Sequence, residues 1–404
     1  MNMALEGIRV LDMTVWHHGP GAATLLADMG AEVIKIEERL SGDPGRHSMS
    51  LGNLESDNGL SYYFENNNRN KKGLAIDLKK ERGREVMFRL VEKSDVLLSN
   101  FRKAGLERLG LGYDELKKRN PRLIYAHGSG QGTEGPHRGR PSNDIIGQFW
   151  GGFISYGSVE GPMPVWSDLA DRGGAVSLAF GTALAILARE RTGIAQEVNT
   201  SLLGGQIYLG AVNIQRYLFE GRVPSPLEKN GESPTNPFWN VYQASDEGWL
   251  CLGCSGSDEE WRSLCRALGL DGAERDPRFD TIEKRTTSNS AELVDLLQRK
   301  FGQRPLSEWK GILEKSGLVW APLRAYSEVL KDPQVLENEY IVDLEHPNAG
   351  KLKYLGLPVR LSKTPGKVRM PAPDLGQHTE EILTDICGYS WEDVAELKAQ
   401  EVIN

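Results

Sequence analysis

The chain has 404 residues, with 48 Lys and Arg against 56 Asp and Glu, so its formal net charge is −8. This acidic balance disfavours a nucleic-acid-binding protein, which needs a basic face. The longest apolar stretch, 175–188, is shorter than the roughly 20 residues of a membrane span. Glu6 and Arg9 stand where a signal peptide would be apolar, so we expect a cytoplasmic protein that binds no membrane.

Strand and helix patterns alternate through the first part of the chain. Short apolar runs predict strands at 8–12, 32–37, 74–78, 96–98 and 123–126. Between them, helices are predicted at 22–29, 82–93 and 113–118, with a Gly/Pro loop at 17–21. This alternation predicts an α/β fold with a doubly wound parallel sheet, in which ligands bind at the carboxyl ends of the strands.

The remaining chain divides into further segments. A long helix is predicted at 172–191, with Asp171 at or near its N-cap. Small residues recur along it at every fourth position, which allows another element to approach closely: Gly173, Ser177, Gly181 and Ala185. We expect three segments: 1–222 as the first part of a large domain, 223–325 as a small α+β domain, and 326–404 as an extended, turn-rich return with a late helix at 380–386.

The cysteine content bears on metals and redox state. Cys251 and Cys254 form a lone C-x-x-C, and the chain has no second pair at zinc-ribbon spacing. Both lie in a stretch that alternates like a strand, so a structural role is expected. With Cys265 and Cys387 they predict a reduced protein without a metal site.

The loop after the first strand could bind a nucleotide. Gly19-Pro20-Gly21 lies between a strand and a helix, but the G-x-G-x-x-G fingerprint is absent, which disfavours NAD or FAD despite the acidic Glu37. Basic residues near the strand ends could bind the phosphates of another nucleotide, or could be solvated surface charges: Arg39, Lys71, Lys72, Lys79 and Arg108.

Asp171 is the candidate nucleophile. A carboxylate at a helix N-terminus is stabilised by the helix dipole, so we expect it to be ionised, as a nucleophile must be. A simple N-cap is the alternative, and Asp168 competes for either role. His17 and His18 could act as a base or as ligand contacts.

Taken in order, these segments resemble the family III CoA-transferases. The resemblance rests on LEGIRVLD, GPGAATLLADMGAEVIKIE, SGDPGR, NRNKKGLAIDLK, the GSGQGTEGP segment, the Asp171 helix ending in RERTG, and PDLGQHTEEIL. It covers nearly the whole chain. It implies a large Rossmann-like domain, a smaller domain, and open-ring subunits that interlock as a dimer, either of two identical chains or with a paralogous subunit.

The resemblance also implies the site residues. The family nucleophile, eighteen residues before Arg189, corresponds to Asp171 rather than Asp168. Glu38 replaces an Arg of one branch, so that role passes to Arg39. The implied CoA contacts are His17, His18, Arg39, Ile76, Lys79, Asn100, Phe101, Arg102, Arg108, Arg140, Asn143 and Asp144.

The implied activity is transfer of CoA from a donor such as succinyl-CoA to a carboxylic acid, through an aspartyl anhydride and an aspartyl-CoA thioester. CoA and acyl-CoA are substrates, and no resident cofactor or metal is expected. The family's glycine-rich lid loop is replaced by 233–237, which disfavours oxalate or formate. Racemases of this fold are the alternative, but their base, a His before an Asp, is Asn143 here. Aromatic residues at 236–239 and 148–150 could line a pocket for a bulky acid.

Overall fold

The structure, a computed structural model, describes residues 3–47, 59–152, 165, 167–221 and 236–404. Within these ranges no helix is both long and apolar enough to span a membrane. The described residues form two compact units: residues up to 221 together with 333–404, and residues 236–332.

The first unit contains a parallel sheet. Six strands of the described chain form it, in the order β3-β2-β1-β4-β5-β6. Their bounds are β1 Arg9–Met13, β2 Glu32–Glu37, β3 Lys71–Ala75, β4 Val96–Ser99, β5 Ile124–Ser129 and β6 Glu197–Ser201. Because the order reverses between β1 and β4, the loops that follow these two strands flank a crevice of the kind in which doubly wound sheets bind ligands.

The remaining strands are antiparallel. They are β7 Val241–Gln243, β8 Trp249–Leu252, β9 Trp320–Pro322, β10 Ile341–His346 and β11 Gly350–Leu355. The helices of the first unit up to residue 221 are α1 His18–Asp28, α2 Tyr62–Asn68, α3 Glu81–Glu92, α4 Lys103–Arg108, α5 Tyr113–Arg119, α6 Asp144–Trp150, α7 Leu169–Thr192, α8 Leu202–Leu209 and α9 Ala211–Glu220. Later helices are α10 Asp258–Leu268, α11 Ser290–Phe301, α12 Leu306–Leu313, α13 Tyr326–Val329, α14 Pro333–Glu337, α15 Thr379–Glu381 and α16 Trp391–Ala399.

Both faces of the six-stranded sheet are buried, which is why its central strands are continuous apolar runs. Leu11, Leu97 and Tyr125 belong to a core that also contains side chains of α3, α5 and the C-terminal segment. Their neighbours Val10 and Val96 belong to a second core on the opposite face, with α1 and α7. The parallel α/β architecture predicted from the sequence is confirmed.

Two predicted boundaries differ from the structure for clear reasons. The stretch 17–21 was expected to be a loop, but α1 already begins at His18. Pro20 is tolerated because the first-turn N–H groups of a helix have no intrahelical acceptor. The predicted strand at 74–78 lies instead at Lys71–Ala75, because the two lysines at its start are buried or paired.

The long helix α7 begins at Leu169, three residues before its predicted start. Its small residues allow α8 and β6 to approach the helix closely. A Cβ at Gly173 would lie 3.0 Å from Leu209 of α8, and one at Gly181 would lie 2.8 Å from Val198 of β6. The sequence analysis missed β6, whose residues Glu197–Ser201 are polar or only partly buried.

The C-terminal segment returns to the first unit. Ile403 forms a β-bridge with Ile76, and Ile382, Leu397 and Val402 pack into the core beside α3. The late helix predicted at 380–386 is a short α-helical turn followed by a π-helix, Ile382–Ile386. The final helix α16 was not predicted.

The second unit has its own core. The antiparallel strands β7, β8 and β9 place Tyr242 and Leu250 against Trp261 of α10 and Trp309 of α12. For this region the sequence pattern predicts a strand pair at 240–244 and 249–254 and helices at 259–268 and 291–301, and the structure has these elements within a few residues of those bounds. Residues 222–235 lie outside the described residues, and the domain boundaries stay a prediction.

Candidate active site

The start of α7 gathers the acidic candidates. Asp168, rather than Asp171, is the N-cap residue, and it has left-handed backbone angles, φ 52° and ψ 35°. Its side chain makes no capping hydrogen bond and is 50% exposed. Asp171 lies in the first turn of the helix and is partly buried. Its carboxylate oxygens accept no hydrogen bond from any described residue.

A different residue caps this helix. Asp144, at the start of α6, accepts hydrogen bonds with one oxygen from the backbone N–H groups of Ala170, at 2.7 Å, and Asp171, at 3.0 Å. Its other oxygen accepts a hydrogen bond from Gln148 at 2.6 Å. The adjacent Asn143 caps α6 itself, accepting a bond from the N–H of Ile146 at 3.2 Å. The CoA-binding role predicted for Asn143 and Asp144 stays a prediction.

The electrostatic environment of Asp171 opposes its ionisation. Burial raises its pKa to about 7, and the negative charges of Asp144 and Asp168 add to this effect. Arg172 acts in the opposite direction but does not compensate. The expectation that the helix dipole keeps Asp171 fully ionised was therefore wrong, because desolvation and two like charges exceed a dipole effect of about 1 kcal/mol.

The loop between β1 and α1 brings His17 to the same place. His17 Nδ1 lies 3.4 Å from an oxygen of Asp168, and its ring meets that of Tyr63 edge-on at 5.5 Å. The side chain is buried, and neither ring nitrogen has a hydrogen-bond partner among the described residues. Burial, with the nearby Arg172 charge, holds the pKa of His17 far below its usual range, so the ring is neutral.

His18 is packed differently from His17. A Cβ at Gly128 of β5 would lie 2.7 Å from its ring, and a Cβ at Gly174 of α7 would lie 2.9 Å from it. Burial lowers the pKa of His18 to about 4. Its ring therefore fills a narrow space between a strand and a helix that glycines keep open.

The β1–α1 loop is fixed by residues from two other strands. Asn100, which follows β4, donates to the carbonyl of Val15 at 2.7 Å and accepts from the N–H of Val15 at 3.0 Å. Asp43 accepts from the N–H of Trp16, which has a left-handed φ of 68°, and pairs with the buried Lys35 at 2.7 Å. The loop is thus held at Val15 and at the N–H of the strained Trp16, directly before His17.

Sequence reasoning missed several residues of this region. Lys35 interrupts an apolar strand, and a charged residue at such a position needs a buried partner. That signal could have pointed to a buried acid such as Asp43. No pattern pointed to Tyr63, since only the packing of α2 brings it to the site. Arg172 directly follows Asp171 in the chain, and its charge was not considered there.

Two of the basic residues considered as phosphate contacts are internal ion pairs. Lys71 is completely buried in β3 and donates to Asp12 at 2.7 Å and to the carbonyls of Pro20 and Asn67. Lys72 pairs with Glu32 and Glu381. Lys71 is therefore neither a solvated charge nor a phosphate contact, so both interpretations were wrong for it, whereas Lys72 is paired but partly exposed.

The other predicted CoA contacts lie partly in the core and partly at the surface. Ile76 is buried beside Ile403, and the carbonyl of Phe101 accepts a bond from His127 at 2.8 Å. Arg140 lies over the ring of Trp150 at 5.3 Å. The remaining cations are exposed or partly exposed after β2, β3 and β4: Arg39, Lys79, Arg102 and Arg108. Their role in binding CoA stays a prediction.

Only some side chains of the two stretches suggested for an acyl pocket are exposed. Phe238 is completely buried in the core of the second unit, and Gln148 is buried beneath Asp144. Phe149, Trp150 and Trp239 are exposed.

Comparison with known proteins supports one family. The model of the family "CoA-transferase family III" matches residues 5–379. Succinyl-CoA--D-citramalate CoA-transferase of Chloroflexus aurantiacus is 33% identical, covering 99% of this chain and 98% of the relative. Succinyl-CoA:glutarate CoA-transferase of Mus musculus is 32% identical, covering 99% and 90%.

A solved structure agrees with the sequence comparison. A CAIB/BAIF family protein from Brucella suis superposes with a TM-score of 0.84 at 28% identity, covering 96% of this chain and 100% of the other. The chain therefore belongs to CoA-transferase family III, and it is an enzyme that transfers coenzyme A between acyl-CoA thioesters and carboxylic acids.

Proposed function

We propose that this enzyme transfers CoA through covalent intermediates on Asp171. The observation that carries the proposal is a carboxylate in the first turn of α7 that accepts no hydrogen bond from a described residue and has a pKa raised to about 7. A carboxylate that is poorly stabilised as an anion is a better nucleophile than one neutralised by an ion pair. At neutral pH about half of it is ionised.

The chemistry proceeds by exchange of acyl bonds. An oxygen of Asp171 attacks the thioester carbonyl, the C–S bond breaks, and a mixed anhydride and CoA thiolate form. The thiolate then attacks the aspartyl carbonyl, releasing the donor acid as a carboxylate and leaving an aspartyl-CoA thioester. The acceptor carboxylate attacks this thioester, and the same two steps run in reverse to give the new acyl-CoA and free Asp171. No net proton or electron is gained or lost.

We also propose succinyl-CoA as the donor and a short dicarboxylic acid as the acceptor, rather than the bulky aromatic acid suggested by the sequence. Arg172 follows the nucleophile directly, and its guanidinium makes no hydrogen bond within the described residues. A free carboxylate on the acyl group suits such a cation. The neutral His17 can donate or accept a further hydrogen bond. The names of the relatives, with succinyl-CoA, citramalate and glutarate, support this choice.

Trapping of the intermediate tests the proposal. Incubation with succinyl-CoA and no acceptor, followed by peptide mass spectrometry, should give an adduct on the peptide that contains Asp171. Asp171→Asn should abolish both the adduct and transfer. Asp168→Asn, three residues away on the same turn, is the matched control and should retain the adduct. An adduct on another residue, or transfer by Asp171→Asn at the wild-type rate, contradicts the mechanism.

We further propose that the enzyme is a homodimer. The helix α9 has no buried residue, and Val212 and Phe219 are each 83% exposed. One stripe of α7 is also exposed and apolar: Val176, Phe180, Leu184 and Leu187. Exposed apolar residues on two helices of one unit support an interface with another chain.

Light scattering after size exclusion tests the dimer. The purified chain should have twice the mass of one chain, and Phe219→Asp should yield monomers, while Asp114→Asn on the exposed face of α5 should not. A monomeric wild-type chain would favour a paralogous partner subunit.

We also propose a cytoplasmic location for the enzyme. The four cysteines are free thiols, which supports this location.

A further inference from the structure

The backbone of the proposed nucleophile is held by a side chain from another helix. In most helices the N-cap side chain accepts hydrogen bonds from the first-turn N–H groups. Here the left-handed Asp168 does not, and a single oxygen of Asp144 accepts from Ala170 and Asp171 at 2.7 and 3.0 Å. The orientation of the first turn of α7 therefore depends on α6.

Asp144 is itself rigidly placed. Gln148 donates to its second oxygen at 2.6 Å, and the same buried amide both donates to and accepts from the backbone of Val165 at 2.9 Å. A Cβ at Gly147 would lie 2.8 Å from that of Ala170, so α6 and α7 are in direct contact. The carboxylate of Asp144 cannot rotate away without breaking several of these contacts.

Negative charges outnumber positive charges around Asp171. The groups that face it from the elements packed there are Asp144 of α6, Asp168 and Arg172 of α7, Tyr63 of α2 and His17 of the β1–α1 loop. His17 is neutral, so two acids act against one cation. The free Asp171 carboxylate is repelled, whereas its anhydride and thioester forms carry no charge on the aspartyl group.

We infer, on the basis of the proposed function, that Asp144 is a positioning residue for Asp171: it aims the first turn of α7 through two backbone hydrogen bonds, and its charge destabilises the free carboxylate relative to the acylated forms. Both effects come from the carboxylate of Asp144. The hydrogen bonds act on the backbone of the first turn, and the charge acts on the side chain of Asp171. They can be separated, because the amide oxygen of Asn accepts the two backbone hydrogen bonds without the charge. Only the bond from Gln148 is lost, since the amide nitrogen cannot accept it.

The test compares Asp144→Asn with Asp144→Ala in the pH profile of acylation by succinyl-CoA. Asp144→Asn keeps an acceptor and loses the charge. The acid limb of its pH profile, where the rate falls as Asp171 takes up a proton, should move to lower pH by about one unit. Acylation at pH 8 should slow by about threefold because the nucleophile is less basic. Asp144→Ala should show the same displacement and a further loss of about tenfold, since the first turn is no longer oriented.

Asp168→Asn is the matched control. It removes a nearby charge that accepts no bond from the helix, so it should move the acid limb without the additional loss. Thermal unfolding of each variant checks that the fold is kept, and if Asp144→Ala does not fold, the profile of Asp144→Asn decides. With Asp171→Asn inactive, an unchanged acid limb in Asp144→Asn overturns the charge effect, and acylation by Asp144→Ala as fast as by Asp144→Asn overturns the positioning role. Full transfer by Asp171→Asn overturns the proposed function instead.

Discussion

Asp171 should destabilise the folded protein at neutral and alkaline pH, and Asp171→Asn should remove this effect. Its pKa is raised from 3.8 to about 7 by burial and by the charges of Asp144 and Asp168. Between these two pH values the folded protein holds a proton that the unfolded chain has lost. Stability therefore falls as the pH rises through this window, and the full penalty is present above about pH 7.

The size of the effect follows from the shift. A difference of about three pKa units corresponds to about 4 kcal/mol, which is an upper limit. Because Asp171 is only partly buried, water screens part of it, and we expect Asp171→Asn to stabilise the protein by about 2 kcal/mol at pH 8. The difference between the two proteins should shrink steadily below pH 7 and disappear near pH 4.

Urea unfolding of both proteins at pH 4, 5, 6, 7 and 8 measures this difference. Asp114→Asn is the control, because Asp114 also lies in the first turn of a helix, α5, but is exposed. It should lower stability by about 0.5 kcal/mol through the helix dipole, the opposite sign. A stabilisation by Asp171→Asn that does not vary with pH, or none at pH 8, would refute the electrostatic reasoning.

Three further substitutions test the supporting structure. Lys71→Ala leaves the buried Asp12 without its ion-pair partner and should lower the free energy of unfolding by about 3–5 kcal/mol in urea, whereas the double variant with Asp12→Asn should recover part of this loss. Asn100→Ala removes both hydrogen bonds to the β1–α1 loop and should reduce kcat/KM by about tenfold, while the free energy of unfolding falls by only about 1–2 kcal/mol. A kcat/KM equal to that of the wild type would contradict the role of this loop. Gly174→Ala should destabilise by about 1–3 kcal/mol by collision with His18, and His18→Ala in the same chain should relieve it.

Local patterns were sufficient for four of the six strands of the sheet and for several of its crossover helices. The runs that became β1, β2, β4 and β5 are apolar because helices cover both faces of the sheet, and this burial leaves a direct trace in the composition. The polar edge strand β6 carries no such trace. The start of α1 was misplaced because Gly and Pro near residue 20 are typical of loops, although Pro is equally at home in a first helical turn.

The candidate site was only half predictable. Asp171 was identified from the resemblance to a family, whereas its protonation was predicted with the wrong sign. The helix dipole can be deduced from position along the chain, but the approach of Asp144 from α6 cannot, since 27 residues separate the two. For the same reason the sequence offers Lys71 only as a phosphate contact or a solvated charge, whereas it is a buried partner of Asp12.

The order of apolar and polar residues determined that this chain forms a parallel α/β sheet with loops at its carboxyl edge, because burial on two faces and helix periodicity are local properties of sequence. The tertiary structure decided which acids meet at the start of α7, which side chain caps that helix, and how readily Asp171 loses its proton. Desolvation and charge repulsion depend on distances through space, and those distances exist only once the helices have packed.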